Sequence, residues 1–323
     1  MILLSFLLFI QSAFALDVVA TLPWLGDITH RVAPEATITT LARGNEDPHY
    51  LSPTPALMAK VSKADLYVEN GLNLELWSER LLDSAGNPKI RPGQPGYVRA
   101  TDGMTRLDVP TDLTRAKGDL HPEGNPHVWT DPLNAPIAAD NIAAGLGRVD
   151  PANAAKYTAN ARAFRQKIYE AMYGADLVAF MGGDLLARMD SQGKLDEFLA
   201  SKNLTARLGG WRKQAASLKG KPMIFYHQSW AYFIKRFGVE AVGFIEDRPG
   251  ISPTAAHRDE LVGLIKARGV KVIEVTSYYD PKIPQLLASQ TGARVAVVAG
   301  DVGGSAAATD YFAYISAIIA AFQ

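Results

Sequence analysis

The sequence of 323 residues contains no cysteine. This absence excludes disulfides, thiolate zinc sites, iron–sulfur clusters and cysteine nucleophiles, and it also removes a lipid anchor on an N-terminal cysteine. Excess charge is absent too, because 33 lysine and arginine residues balance 33 aspartate and glutamate residues. We therefore expect no nucleic-acid partner. Any transition-metal site must use the six histidines together with aspartate, glutamate or water.

Long apolar runs are also absent beyond the first fifteen residues. Residues 1–15 are apolar at twelve of fifteen positions, carry no charged side chain and end in Ala13-Phe14-Ala15, which fits the small-x-small pattern of signal cleavage. The run is too short to span a bilayer, although a buried N-terminal strand is an alternative. We expect a cleaved signal peptide and a secreted or periplasmic mature protein that is monomeric and not stably inserted in a membrane.

Strand-like and helix-like patterns alternate along the chain. Runs of β-branched and aromatic residues predict strands at 17–21, 36–41, 65–69, 222–226, 239–245, 270–275 and 294–298. Apolar spacing and capping signals, Ser252 among them, predict helices at 24–32, 55–64, 135–146, 228–237, 252–267, 281–291 and 314–322. Such alternation is typical of βαβ units, so the fold class is α/β, with two lobes that each hold a mainly parallel sheet flanked by helices.

The segment between the two halves has a different composition. Residues 153–173 are rich in alanine and contain no glycine or proline, which predicts one long, rigid spine helix that joins the lobes. Residues 174–210 are interrupted by glycines, and residues 83–124 look like surface loops. The predicted division is a signal peptide at 1–15, an N-terminal lobe at 16–150, the spine with an inserted helical segment at 151–219, and a C-terminal lobe at 220–323.

Three histidines stand where a helix is about to begin. His227 follows a predicted strand directly, at the end of a parallel sheet where ligands bind. His49 and His127 occur in the related segments Asp-Pro-His and Asn-Pro-His, where proline restricts the turn. Three imidazoles and one carboxylate or water would complete a tetrahedral zinc shell, although loop histidines are often only caps or exposed residues.

The other three histidines carry weaker signals. His30 and His257 lie within predicted helices beside arginines, and we expect both to be exposed. His121 lies in a polar loop with Asp119 and Glu123 nearby. That loop could meet a metal in transit, but we interpret it as a solvated polar loop. The sequence contains no H-E-x-x-H, G-x-S-x-G, Walker A or G-x-G-x-x-G motif.

Three segments together carry a resemblance to a known family. They read DPHYLSPTPALMAKVSKADLYVENGLNLE, NPHVWTDP and YHQSWAYFIKRFGV. In this order they resemble the metal-binding segments of the solute-binding proteins of ABC transporters that act as zinc and manganese receptors. The resemblance continues in FIEDRPGISPTAAHRDEL and GDVGGSAAATDYFAYI and covers most of the chain after residue 17. It implies two α/β lobes joined by a rigid helix, with one metal ion between them.

The resemblance also implies a set of ligands. Carried over by position, His49 and His127 come from the N-terminal lobe and His227 from the C-terminal lobe, and Asp301 is the carboxylate ligand after the last strand. Glu246 competes with Asp301 for that role, and water is a third possibility. Two departures from the family are a histidine-poor loop before the second ligand and a long segment at 174–210.

The resemblance and these residues together give three candidate functions. The main expectation is a periplasmic receptor that binds Zn²⁺ and delivers it to the permease subunit of an ABC transporter, and is not an enzyme. Zinc is favoured over Mn²⁺ because manganese prefers oxygen ligands. The alternatives are a secreted zinc hydrolase with three histidine ligands and an open water position, and an adhesin-like protein with a structural metal.

Overall fold

The computed structural model describes residues 15–112, 121–248 and 250–323. The strands are β1 Asp17–Ala20, β2 Thr37–Thr40, β3 Leu66–Glu69, β4 Tyr97–Arg99, β5 Pro222–Phe225, β6 Glu240–Phe244, β7 Val272–Thr276 and β8 Arg294–Val298. The helices are α1 Pro23–Val32, α2 Pro55–Val61, α3 Ser78–Ala85, α4 Ala135–Val149, α5 Ala154–Tyr173, α6 Ala175–Met181, α7 Gly183–Ser191, α8 Leu195–Ser201, α9 Gly210–Gln214, α10 Ala231–Phe237, α11 Ala255–Arg268, α12 Lys282–Thr291 and α13 Tyr311–Phe322. The predicted signal peptide lies outside the described residues except for Ala15.

The strands form two four-stranded sheets with the same topology. The first sheet has the order β2-β1-β3-β4 and the second has the order β6-β5-β7-β8. All the pairings between the strands are parallel, so every strand of a sheet ends at the same edge. The prediction of two α/β lobes with parallel sheets is confirmed. We call the elements from β1 to α4 the N-terminal lobe and those from β5 to α13 the C-terminal lobe.

The region predicted as surface loops contains regular structure. Within residues 83–124, β4 pairs with β3 and places Val98 opposite Val68, and α3 ends at Ala85. The prediction of loops is therefore wrong at these positions. A strand of three residues is too short to show an alternating pattern, and only its pairing with β3 reveals it.

The spine prediction agrees with α5, which has 20 residues and so extends over about 30 Å. Its buried side chains recur at intervals of three and four residues, at Tyr157, Ala161, Phe164, Ile168 and Met172, which is the spacing of one helical face. The segment at 174–210 forms the short helices α6, α7 and α8, which are separated by glycines. Gly174 and Gly182 have positive φ of 85° and 83°, so these two breaks use a conformation that favours glycine.

The helix caps show one agreement and one difference. The Thr54 hydroxyl accepts a hydrogen bond from the backbone N–H of Leu57 at 3.3 Å and so caps α2, as the Thr-Pro signal predicts. The predicted cap of α11, Ser252, is wrong. Thr254 caps this helix instead, because its hydroxyl accepts a hydrogen bond from the backbone N–H of His257 at 3.2 Å.

Aromatic residues join the two lobes. Trp129 of the N-terminal lobe donates a hydrogen bond from Nε1 to the carbonyl of Gly300, at 2.9 Å. Tyr311 at the start of α13 donates from its hydroxyl to the carbonyl of Trp129, at 2.8 Å. Trp24 stacks on Trp129 with ring centroids 6.3 Å apart. These rings belong to one apolar core that extends through both lobes. Within the described residues, no helix is both long enough and apolar enough to cross a membrane.

Candidate metal centre

The related segments Asp-Pro-His and Asn-Pro-His share one local geometry. Oδ1 of Asp47 accepts hydrogen bonds from the backbone N–H of His49 at 3.0 Å and from its Nδ1 at 2.6 Å. Oδ1 of Asn125 accepts the same two bonds from His127, at 3.1 Å and 3.0 Å. Each segment therefore uses the residue two positions earlier to fix both the backbone and the ring of its histidine, and this contact is made through Nδ1 and not through Nε2.

His227 is held by a neighbouring strand end. It follows β5, and its Nδ1 donates to Oε2 of Glu246 at 2.8 Å. Glu246 follows β6, the strand beside β5, and its Oε2 also accepts from the backbone N–H of Gly250 at 3.1 Å. Both side chains are almost fully buried. The carboxyl edge of the C-terminal sheet thus positions the His227 ring, as expected for an open parallel sheet.

The three histidines come together between the two lobes. One ring nitrogen from each of His49, His127 and His227 lies within 4.8 Å of the others. The ring centroids are 5.3 Å apart for His49 and His127, 5.9 Å for His49 and His227, and 5.7 Å for His127 and His227. Among the described residues, Nε2 of His127 is buried without a hydrogen-bond partner. A buried acceptor of this kind is suited to a metal ion.

The environment disfavours protonation at the centre of the group. Burial lowers the pKa of His127 well below its usual value, and the nearby rings of His49, His227 and His121 lower it further. Burial acts to raise the pKa of Asp47, but the side-chain and backbone hydrogen bonds from His49, together with electrostatic interactions with His49 and His227, outweigh burial, so the pKa is lowered. Burial therefore favours the neutral imidazole of His127, which is the form that binds a metal ion.

A fourth histidine lies beside the group. His121 Nε2 is 3.2 Å from Nε2 of His49, and Nδ1 of His121 donates to the carbonyl of Asn73 at 3.0 Å. The His121 and His127 ring centroids are 6.2 Å apart. The interpretation of this histidine as part of a solvated polar loop is therefore wrong. The contact joins residues that are 72 positions apart, and no local pattern indicates it.

The two carboxylates considered as ligands occupy different positions. Asp301 is not a member of the group of ligand atoms that lie within 4.8 Å of one another. Its Oδ1 accepts from the backbone N–H of Val302 at 2.6 Å, whereas its Oδ2 is buried without a hydrogen-bond partner. Burial raises the pKa of Asp301 well above the usual value. Glu246 contacts Nδ1 of the His227 ring. The structure therefore groups the three predicted histidines but not the predicted carboxylate.

The remaining histidines lie apart from this group. His30 is exposed on α1, as expected. His257 on α11 is half-buried, with Nε2 2.9 Å from the carbonyl oxygen of Phe244, so the expectation of an exposed side chain is wrong. A cavity of about 180 Å³ opens on two histidines of the group, His49 and His227, and is also lined by Asp47, Tyr50, Glu246, Gly250 and Tyr279.

Polar contacts between the lobes surround the site. Nδ2 of Asn125 donates to the carbonyl of Gln228 at 2.7 Å, which connects the anchor of His127 to the residue that follows His227. Further away, Arg236 on α10 forms a bidentate ion pair with Asp131 at 2.8 Å and 2.9 Å. The positions of the ligands from the two lobes therefore depend on each other.

The protein has two α/β lobes, each with a parallel sheet, and imidazoles from both lobes converge between them. This arrangement is typical of a class of two-lobed binding proteins. The family described as zinc-uptake complex component A, periplasmic, matches residues 18–187 and 194–323. The chain belongs to this family. Only residues 188–193 of the segment at 174–210 fall outside the match, so most of this segment is shared with the family.

Two curated relatives differ in the metal that their names give. The chain is 34% identical over 159 residues to the iron-binding protein YfeA of Yersinia pestis, which covers 49% of this chain and 47% of the relative. It is 30% identical over 172 residues to the high-affinity zinc uptake system protein ZnuA of Brucella abortus (strain 2308), which covers 53% of this chain and 41% of the relative. These matches span about half the length of the relatives or less.

One solved structure shows the same fold over nearly the whole chain. It is the Mn-bound periplasmic metal binding protein from Candidatus Liberibacter asiaticus, with a TM-score of 0.67 and 21% sequence identity. The similarity covers 95% of this chain and 99% of that protein. At this level of identity the comparison shows the fold of the two lobes.

Proposed function

We propose that this protein is a periplasmic receptor that binds Zn²⁺ and delivers it to the permease subunit of an ABC transporter. The observation that carries the proposal is the group of His49, His127 and His227, whose ring nitrogens lie within 4.8 Å of one another. Both lobes supply these ligands, so a bound ion can hold the lobes together and an ion-free protein can release them.

The anchoring of each ring supports metal binding. Asp47, Asn125 and Glu246 each accept a hydrogen bond from Nδ1 of one histidine, which leaves Nε2 with a lone pair in every neutral ring. Lone pairs that converge in a buried site repel one another unless a cation lies between them. The anchors resemble the outer partners that orient histidine ligands in metal sites.

The donor atoms favour zinc. Imidazole suits Zn²⁺, whereas Mn²⁺ prefers carboxylate, carbonyl and water oxygens. The named relatives include zinc-binding and iron-binding proteins, so the family alone does not select the metal, and the imidazole ligands carry this part of the proposal. The position of Glu246 favours a receptor over a hydrolase, because its Oε2 accepts from His227 and from Gly250 and so serves as an anchor and not as a base beside a metal-bound water.

The periplasmic location is supported by the family description and by the pattern at residues 13–15. The test of the transport role uses a strain that lacks this gene and grows in a medium where a chelator limits zinc. The wild-type gene and a His30→Ala control should restore growth, and His227→Ala should not, although added zinc should rescue all strains. Equal growth with His227→Ala and with the wild-type gene at equal protein levels would overturn the proposal.

A further inference from the structure

We propose that His121 is the fourth ligand of the metal ion and completes a shell of four imidazoles. The inference rests on the proposed function, because it concerns the same ion. The observation that carries it is the distance of 3.2 Å between Nε2 of His121 and Nε2 of His49. Two nitrogens of a tetrahedral zinc site with Zn–N distances near 2.0–2.1 Å lie about 3.3 Å apart.

The hydrogen bonds of these two rings point to a cation between their Nε2 atoms. Nδ1 of His49 donates to the Asp47 carboxylate and Nδ1 of His121 donates to the carbonyl of Asn73. In the neutral rings both Nε2 atoms are therefore acceptors. Two acceptors that face each other at 3.2 Å repel, and a cation bound by both nitrogens turns the same contact into an attractive one.

The anchor of His121 is built into an unusual backbone segment. Leu72 and Asn73 have positive φ of 56° and 59°, a conformation that residues other than glycine seldom adopt and that is frequent at functional sites. The segment is held by the buried Glu75, which accepts hydrogen bonds from the backbone N–H groups of Asn70 at 2.8 Å and Gly71 at 3.0 Å. The Asn73 carbonyl is thus fixed at the place where it receives Nδ1 of His121.

His121 stands at the edge of the three-histidine group. It is not among the atoms that all lie within 4.8 Å of one another, although its ring centroid is 5.2 Å from that of His49 and 6.2 Å from that of His127. Binding of the ion therefore includes a movement of the His121 ring toward the other three. His121 is in this sense the ligand that closes the shell.

This assignment differs from a shell with a carboxylate. Asp301 has one carboxylate oxygen, Oδ2, that is buried without a hydrogen-bond partner. However, it does not belong to the group of ligand atoms within 4.8 Å of one another, and its Oδ1 accepts from the backbone N–H of Val302 at 2.6 Å. A shell of four neutral nitrogens keeps the full double charge of the ion and supplies no oxygen from the protein. Such a shell favours Zn²⁺ over Mn²⁺, so His121 would be a residue that determines metal specificity.

The experiment measures zinc affinity by competition with a chromophoric chelator for the wild type and five variants: His121→Ala, His121→Asp, Asp301→Asn, His227→Ala and the exposed control His30→Ala. His121→Ala should weaken zinc binding by about tenfold or more, and His30→Ala should match the wild type. Asp301→Asn should change the affinity by less than about threefold. His121→Asp should raise the affinity for Mn²⁺ relative to Zn²⁺.

X-ray absorption of the zinc-loaded wild type gives a measurement that needs no variant. The fit should require four imidazoles, and three imidazoles with one oxygen would overturn the inference. His121→Ala with the affinity of His30→Ala, alongside a clear loss in His227→Ala, would also overturn it while the proposed function stands. An unchanged affinity in His227→Ala would instead overturn the proposed function. Circular dichroism of the metal-free variants checks that they are folded.

Discussion

Oδ1 of Asp47 lies 2.6 Å from Nδ1 of His49 and 3.0 Å from its backbone nitrogen. Asn125 makes the same pair of bonds to His127. The repeated form of Asp-Pro-His and Asn-Pro-His in the sequence thus has a physical meaning. In each segment a side-chain oxygen and a proline fix one imidazole before any ion arrives, so that less conformational freedom is lost when the ion binds.

Removal of this anchor should weaken binding of the ion. Asp47→Ala leaves the His49 ring free to rotate and should lower zinc affinity by about 10- to 100-fold, as expected for a partner behind a metal ligand. Asp47→Asn keeps an acceptor oxygen and should therefore lose less zinc affinity than Asp47→Ala. Competition with a chelator measures both values, and equal affinities for Asp47→Ala and the wild type would show that this hydrogen bond does not orient His49.

Glu246 allows the two roles of a carboxylate to be separated. If Glu246 only anchors His227, the variant Glu246→Ala should lower zinc affinity by about 10- to 100-fold but still bind a single ion per chain. Glu246→Gln, which can still accept from Nδ1, should come closer to the wild type. Stoichiometry by native mass spectrometry checks this prediction. Complete loss of the ion in Glu246→Gln, as strong as in His227→Ala, would indicate that Glu246 binds the ion directly.

The ion pair between Arg236 and Asp131 connects the lobes. Each of these side chains is only 10% exposed, and the contact is bidentate. Arg236→Met leaves the Asp131 carboxylate buried without this cation and should lower the free energy of unfolding by about 3–5 kcal/mol. The neighbouring Lys235 is exposed, so Lys235→Met is a matched control that should have little effect. Similar urea denaturation curves for the two variants would contradict the prediction.

The buried Glu274 makes stability depend on pH. Burial raises its pKa from 4.5 to about 7, so the folded protein binds more protons than the unfolded chain between these values. The stability that the protonated Glu274 contributes is fully present below about pH 4.5 and is lost as the pH rises through about 7.

The neutral variant Glu274→Gln does not suffer this loss. Relative to the wild type, its free energy of unfolding should rise by about 1–3 kcal/mol between pH 5 and pH 8.5. Urea denaturation of the metal-free proteins at several pH values measures the difference. Glu79→Gln on the exposed surface of α3 is the control and should show no such trend. A difference for Glu274→Gln that stays constant with pH would contradict the raised pKa.

Most of the fold follows from local patterns in the sequence. The α/β alternation, the spine α5 and the Thr54 cap depend on residues close together in the chain, so they could be predicted. The strand β4 and the short helices between 174 and 210 could not be predicted in detail, because three to nine residues do not show a clear period. Their stability comes from packing against distant elements.

The site was predictable to the extent that its residues lie in recognisable segments. His49, His127 and His227 belong to such segments, and the structure groups them. The contact between His121 and His49 depends on how a loop packs against the strained Leu72–Asn73 backbone, which no sequence pattern describes. The position of Asp301 depends likewise on the loop after β8, where the backbone N–H of Val302 binds its carboxylate.

Imidazoles from both lobes hold one divalent metal ion in the site that we propose. A direct zinc titration of the triple variant His49→Ala, His127→Ala and His227→Ala tests it, with His30→Ala as the control. We expect His30→Ala to bind one ion with the affinity of the wild type and the folded triple variant to bind none at this site. A triple variant that still binds one ion with the affinity of the wild type would show that these three histidines do not form the metal site.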